Sequence, residues 1–85
     1  MNAQEALDTI QTILADRLGV ERSLITPDAS LREDLALDSI DAYDLLTDVE
    51  ERYALDIDPG RFSMVGTVAD VIAVMQDTSP ERAMP

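Results

Sequence analysis

The sequence predicts an all-α fold of three main helices and one short helix, with a long structured loop between the first two. Apolar residues recur with the period of a helix in three segments, and no segment shows a convincing strand pattern. Aromatic residues are scarce, 4% of the chain, so the core is expected to be aliphatic, as in small helical domains. We predict a single domain over residues 1–77 and a flexible C-terminal tail over residues 78–85.

The first helix is predicted to run from Asn2 or Ala3 to Leu18. Asn2 can cap its start, because Glu5 follows at the spacing of a capping box. Gly19 follows the last periodic residue and is the expected stop. Its apolar face is formed by Leu7, Ile10, Ile13, Leu14 and Leu18.

The connection from Gly19 to Asp38 is too long for a simple turn, and Pro27 prevents a continuous helix through it. Ser30 and Glu33 have capping-box spacing, which predicts a single helical turn. Dispersed apolar residues are expected to anchor this loop to the core: Val20, Leu24, Ile25, Leu31 and Leu35. A structured loop of this length usually has a functional reason.

The second helix, from Ser39 to Tyr53, is predicted to have three faces. Its core face consists of Ala42, Leu45, Leu46, Val49 and Tyr53. On another side lies an acidic stripe, defined as Asp41, Asp44, Asp48 and Glu51. A further strip, defined as Ile40, Tyr43 and Thr47, points away from the core and indicates a contact surface. Ser39 is interpreted as the N-terminal cap of this helix.

The C-terminal part is predicted to contain a turn, a short helix and a last main helix. Asp58-Pro59-Gly60 is read as the turn, and residues Phe62–Val65 as the short helix. The last helix is expected to be capped by Thr67 and to end near Asp77. Its inward face is formed by Val68, Val71, Ile72 and Met75.

Charge and composition narrow the possible functions. The net charge is −12, of which −8 lies between residues 31 and 58, and this disfavours binding to nucleic acid or to anionic membranes. It predicts partners with basic patches. The chain has no cysteine, no histidine and no lysine, so it lacks a thiol and the usual bases of nucleophilic catalysis. We expect a cytoplasmic monomer that is not an enzyme and has no metal site.

Ser39 can instead accept a modification made by another enzyme. A hydroxyl at a helix N-terminus lies at the surface, and the free amide groups there favour a nearby phosphate. Asp38 and Asp41 oppose that attraction unless a divalent cation bridges them.

The segment that leads into the second helix resembles a family signature. The segment Asp34-Leu35-Ala36-Leu37-Asp38-Ser39-Ile40-Asp41 resembles the D-L-G-x-D-S-L-[DE] signature of acyl carrier proteins. Further matches in the same order are Leu18-Gly19-Val20, Thr26-Pro27-Asp28-Ala29-Ser30, Val49-Glu50-Glu51-Arg52-Tyr53 and Thr67-Val68, so the resemblance covers residues 3–77.

The resemblance implies a four-helix bundle and a 4′-phosphopantetheine arm on Ser39, donated by coenzyme A. Asp38 matches the aspartate implicated with Mg²⁺ during transfer of the arm. The implied partners are a phosphopantetheinyl transferase and enzymes of fatty acid, polyketide or lipid biosynthesis. The second group comprises acyl–acyl carrier protein synthetases, ketosynthases, reductases or acyltransferases, with basic docking patches. Residues matching positions that partners contact are Ile40, Asp41, Tyr43, Asp44, Thr47, Asp48, Glu50 and Glu51.

Three departures from the family pattern, at Ala36, Ile40 and Tyr43, favour a specialised carrier. Ala36 stands where the family has glycine, and alanine is expected to avoid positive φ there. The alternatives are an aminoacyl or peptidyl carrier with the same arm, and an acidic interaction module that carries nothing. In the simplest interpretation Ser39 is a plain cap, the acidic stripe only solvates the helix, and Ile40 and Tyr43 pack on the preceding loop.

Overall fold

The structure, a computed structural model, describes residues 1–78. It contains four α-helices, α1 (Ala3–Leu18), α2 (Ser39–Tyr53), α3 (Pro59–Phe62) and α4 (Val68–Thr78), and a 3₁₀ turn over Arg22–Leu24 that was not predicted. The all-α prediction is confirmed. Helix α4 includes Thr78, one residue beyond its expected end, and the rest of the predicted tail, residues 79–85, lies outside the described residues.

Helix α1 begins and ends where the sequence predicts. The Asn2 side chain accepts a hydrogen bond from the Glu5 amide at 2.8 Å and so satisfies one of the free N–H groups of the first turn. Gly19 ends the helix in the left-handed conformation, with φ of 67°. That conformation is open to glycine without the steric cost that a side chain would bring.

Helix α1 packs against both α2 and α4, and α3 packs against α4. The core that they enclose is almost wholly aliphatic, with Phe62 as its one buried aromatic residue among those described. Tyr53 is half-buried, and its hydroxyl lies 2.5 Å from Thr9 Oγ1, which links α2 to α1. The predicted inward faces of the three main helices are confirmed by the buried side chains Ile10, Ile13, Leu14, Leu45, Leu46, Val49, Val68, Val71, Ile72 and Met75.

The loop between α1 and α2 is tied to the start of α4 by backbone hydrogen bonds. Leu31 N donates to Gly66 O at 3.0 Å, and Val68 N donates to Ala29 O at 3.1 Å. The predicted turn at Ser30 is present, because Ser30 Oγ accepts from Glu33 N at 3.1 Å. These hydrogen bonds therefore hold the loop in a defined conformation.

Most of the predicted loop anchors are buried, and one is not. Ile25, Leu31 and Leu35 lie in the core, and Val20 packs partly against it. Leu24 is 53% exposed, so its prediction as an anchor is wrong. It ends the 3₁₀ turn and points to solvent, while the next residue, Ile25, takes the buried position.

Helix α3 lies three residues earlier than predicted. Asp58 caps it, with its Oδ1 accepting from Gly60 N at 2.9 Å, and Pro59 is its first residue. Proline fits at this position because an N–H in the first turn of a helix has no acceptor within the helix, so the absence of the proline N–H costs no helical hydrogen bond. Phe62 is buried as expected, and Val65 is half-buried beyond the helix end.

Helix α4 begins with the predicted threonine cap. Thr67 Oγ1 accepts from Asp70 N at 3.2 Å. In return, the Asp70 carboxylate accepts from Gly66 N at 2.8 Å and from Thr67 N at 3.1 Å. These two backbone donors, Gly66 first, hold the pKa of Asp70 below its ordinary value because they favour the charged form.

Candidate functional site

Ser39 is the first residue of α2, and the residue that caps this helix is Asp38. The Asp38 Oδ1 atom accepts from Asp41 N at 2.8 Å, and Asp38 N donates to Asp41 Oδ2 at 3.3 Å. The interpretation of Ser39 as the cap is therefore wrong. An aspartate one residue earlier takes the role, since an Asp side chain reaches the third helical N–H as well as a serine does.

This arrangement leaves the Ser39 hydroxyl unused by the fold. Ser39 is exposed, and its Oγ has no hydrogen bond with any residue of the described part of the chain. Asp38 occupies the amides of Asp41 and Ala42, whereas the amides of Ser39 and Ile40 have no acceptor within the helix and remain available to an anion beside this hydroxyl. A modifying enzyme can thus reach Ser39 without breaking a structural contact.

The approach to Ser39 contains a residue in the left-handed conformation. Ala36 has a φ of 55°, so the expectation that alanine avoids positive φ here is wrong. Its neighbours Leu35 and Leu37 are both 6% exposed. Burial of these two leucines holds the intervening alanine in a conformation that costs a non-glycine residue about 1–2 kcal/mol.

A cleft of about 470 Å³ lies beside Ser39. It is bounded by the loop before α2, by the first turns of α2, and by α3 with the segment that follows it. Its buried apolar lining consists of Leu31, Leu37, Leu46 and Phe62, and exposed side chains that reach it include Arg32, Asp38, Tyr43 and Ser63. This volume falls within the range of small-molecule sites in proteins.

The outward face of α2 carries the predicted apolar strip. Ile40 is 71% exposed and Tyr43 is 64% exposed, which excludes the simpler interpretation that both pack on the preceding loop. Thr47 is half-buried, and its hydroxyl donates to the Tyr43 carbonyl oxygen at 3.0 Å. Asp44 is half-buried and Glu51 is exposed on the same side of the helix. Apolar and acidic side chains therefore lie together on this surface.

Asp48 does not belong to that surface, contrary to the prediction. It is 8% exposed, and Arg17 of α1 holds its carboxylate through two nitrogens, Nε to Oδ2 and Nη2 to Oδ1, the latter at 2.8 Å. At about 100° per residue, Asp48 lies about 40° further round α2 than Asp44, towards the core residue Leu45. The side-chain hydrogen bonding between Arg17 and Asp48, together with the attraction between their charges, raises the pKa of Arg17.

Glu50 is also partly committed to the fold. Its Oε2 accepts from Ile57 N at 2.9 Å, which fixes the connection between α2 and α3. Two residues near the site, Met64 and Arg32, are not among those predicted from the sequence. Met64 is 85% exposed between two residues that line the cleft, and Arg32 lines the cleft itself. Neither belongs to a helical pattern, so periodicity carried no signal for them.

Comparison with known proteins identifies the family. The family described as "Phosphopantetheine attachment site" matches residues 8–75. An acyl carrier protein of Rubrobacter xylanophilus is 42% identical over 72 residues, which cover 85% of this chain and 89% of that relative. The chain belongs to the acyl carrier protein family. Acyl carrier protein 2 of Ralstonia nicotianae is 40% identical over 76 residues, 89% of this chain and 94% of that one.

The fold agrees with this membership. The crystal structure of an acyl carrier protein from Thermotoga maritima superposes with a TM-score of 0.82, covering 92% of this chain and 91% of that one at 24% identity. At that identity the likeness bears on the fold alone, and it confirms a helical bundle of the acyl carrier type. Within residues 1–78, no helix is long and apolar enough to cross a membrane.

Membership in the acyl carrier protein family settles the class of function. Members carry acyl groups and are not enzymes, and the cofactor is covalently bound 4′-phosphopantetheine. The family works with phosphopantetheinyl transferases and with acyl-handling enzymes. The structure fits such a group: an exposed, unpartnered serine hydroxyl stands beside a cleft with an apolar lining.

Proposed function

We propose that Ser39 is the residue that receives the phosphopantetheine arm, and that the chain delivers acyl groups from this arm to biosynthetic enzymes. The observation that carries the proposal is the unused, exposed hydroxyl of Ser39 at the first position of α2. When bound, the arm supplies the thiol that the chain lacks and holds acyl groups as thioesters. A cytoplasmic location stays a prediction from the sequence.

In the transfer reaction, the Ser39 oxygen forms a bond to the phosphorus next to the pantetheine of coenzyme A. The bond from that phosphorus to the bridging oxygen breaks, the nucleotide leaves as 3′,5′-bisphosphate, and the serine proton passes to a base. No described residue near Ser39 is a histidine or a lysine, so the transferase has to supply that base. The free amides at the start of α2 would stabilise the negative charge of the new phosphodiester.

Asp38 is proposed to assist this step through one carboxylate oxygen. Oδ1 is occupied as the helix cap, whereas Oδ2 receives no hydrogen bond from the described residues. Among residues 1–78, no group of three or more potential ligands is placed to hold a metal ion. A Mg²⁺ ion at Oδ2 would therefore have to share ligands with coenzyme A and the transferase.

We also propose a docking face on α2, defined as Ile40, Asp41, Tyr43, Asp44, Thr47, Glu50 and Glu51. The exposed Ile40 and Tyr43 offer apolar contacts, and the carboxylates attract basic patches on partner enzymes. Asp48 is left out because it is buried and Arg17 occupies its carboxylate. Asp41 and Glu50 each use one carboxylate oxygen within the fold, to accept from Asp38 N and Ile57 N, and keep the other for a partner. Focused charge raises association rates more than final affinity, which suits a shuttle that has to leave each enzyme.

The test is incubation with coenzyme A, Mg²⁺ and a broad-specificity phosphopantetheinyl transferase, read by intact mass. The wild-type chain is expected to gain the mass of one phosphopantetheine, and Ser39→Ala is expected to gain none. Ser63→Ala is the matched control, because Ser63 is another exposed serine that lines the same cleft. A Ser39→Ala chain that still gains the mass contradicts the assignment of Ser39.

A further inference from the structure

Arg32 lines the cleft together with Asp38 and Ser39, yet it forms no ion pair or hydrogen bond with the described residues. Three other arginines are engaged: Arg17 with Asp48, Arg22 with Thr12 and Gln11, and Arg61 with Asp77. Arg32 is exposed, and acidic residues follow it directly in the chain. Among the described arginines without such a contact, Arg32 is the one that lines the cleft beside Ser39.

The backbone around Arg32 is held in place on both sides. Leu31 N donates to Gly66 O at 3.0 Å, and Glu33 N donates to Ser30 Oγ at 3.1 Å. Leu31 is itself buried at 5% exposure. The Arg32 side chain therefore starts from a fixed point on the wall of the cleft that Ser39 shares.

We propose that Arg32 binds the phosphodiester that joins the arm to Ser39. This inference rests on the proposed function, because it requires the arm to be attached at Ser39. A phosphodiester adds a negative charge beside Asp38 and Asp41, within the segment 31–58 that already carries −8. Arginine is suited to offset it, since its planar guanidinium donates two parallel hydrogen bonds to phosphate oxygens.

Arg32 and the start of α2 would both donate to this phosphate: Arg32 through its guanidinium, and the helix through the free amides of Ser39 and Ile40. Arg32 is thus a positioning residue that fixes where the arm leaves the protein. Its contact favours an arm that starts along the cleft over one that projects freely into solvent.

The experiment compares four chains that have been loaded with the arm and checked by intact mass: wild type, Arg32→Gln, Arg32→Lys and Arg52→Gln. Arg52 is the matched control, because it is exposed, lies in the same acidic segment, has no ion pair among the described residues and does not line the cleft. The readouts are the ³¹P chemical shift of the phosphodiester and the ¹⁵N shift of each arginine Nε before and after loading.

We expect Arg32→Gln to move the ³¹P resonance and Arg52→Gln to leave it at the wild-type position. Loading is expected to shift Arg32 Nε more than Arg52 Nε, and Arg32→Lys to give an intermediate ³¹P shift because it keeps the charge without the planar fork. In 1 M salt, where screening acts within about 3 Å, the wild-type resonance is expected to approach that of Arg32→Gln.

A ³¹P resonance unchanged by Arg32→Gln overturns the inference, and so does an equal shift in Arg52→Gln, which would indicate only a general charge effect. Should Arg32→Gln fail to fold, the Arg32→Lys chain and the wild-type Arg32 Nε shift still decide the question. Failure of the proposed function is distinct, because the wild-type chain would then gain no mass at all.

Discussion

Ala36 offers a sharp test of the backbone that leads to Ser39. Its φ of 55° lies in the left-handed region, three residues before the proposed attachment point. Replacement by glycine removes a steric cost of about 1–2 kcal/mol. Glycine also gives the unfolded chain more freedom, which opposes the gain by about 0.4–1 kcal/mol. The expected net effect of Ala36→Gly is a stabilisation of between about 0 and 1.6 kcal/mol, with a central value of about 0.8 kcal/mol.

The assay is reversible unfolding in urea, with the free energy of unfolding obtained from the midpoint and slope. For a domain of this size the central value corresponds to a rise in melting temperature of about 3–6 °C. Two other alanines calibrate the result. Ala54 ends α2 with a φ of 54°, so Ala54→Gly is expected to stabilise as well. Ala73 is exposed inside α4, so Ala73→Gly is expected to destabilise by about 1 kcal/mol.

A loss of stability in Ala36→Gly like that in Ala73→Gly would refute the left-handed conformation of Ala36. That result would place Ala36 in an ordinary backbone conformation and not in the left-handed region. If Ala54→Gly stabilises the domain while Ala36→Gly does not, the left-handed conformation is contradicted at Ala36 and supported at Ala54.

Three further predictions concern the charged residues. Arg17→Gln is expected to lower the urea midpoint more than Arg22→Gln, because it leaves a buried carboxylate without its cation, whereas Arg22 makes only exposed contacts. Asp70→Asn is expected to lower stability at pH 7. The pKa of Asp70 is lowered on folding, so the stabilisation by its carboxylate is fully present above the ordinary pKa of 3.8 and is lost as the pH falls through the folded pKa. The difference in unfolding free energy between wild type and Asp70→Asn, measured in urea, is therefore expected to shrink below about pH 4. Asp44→Arg is expected to slow acyl transfer to a partner enzyme by about tenfold at low salt, because it reverses a charge that guides association. Asp16→Arg, on the exposed surface of α1, is the control.

Each of these predictions has a contrary outcome. Equal midpoints for the two arginine variants would mean that the buried carboxylate is stable without its partner. A difference for Asp70→Asn that stays constant down to pH 2 would mean that its carboxylate charge is not what the backbone amides stabilise. Transfer rates for Asp44→Arg that equal those of Asp16→Arg in low salt would show that the proposed docking face only solvates α2.

The main helices could be predicted because their apolar spacing and their caps agree. Asn2 and Gly19 bound α1, and Thr67 begins α4, through interactions between residues close in sequence. Helix α3 is different, because four residues are too short for periodicity to show. Asp58, Pro59 and Gly60 are typical of a turn and also of a capped helix start, and local sequence does not separate the two.

The features of the site that depend on residues nearby in the sequence could be predicted. The features that depend on contacts with a different helix could not. The exposure of Ile40 and Tyr43 follows from the spacing of the core residues on α2. The burial of Asp48 depends on Arg17, which is 31 residues away. The conformation of Ala36 is set by the burial of its neighbours, and this overrides the preference of the alanine itself.

The most direct test of the central claim is the mass of the tryptic peptide of residues 33–52 from the protein isolated from the cells that make it. This peptide is bounded by arginines, and Ser39 is its one serine. The account predicts that fragmentation places phosphopantetheine on Ser39, and that any acyl group on it is released by neutral hydroxylamine, as a thioester is. An unmodified peptide in every preparation, or an arm attached at any other residue, would contradict it.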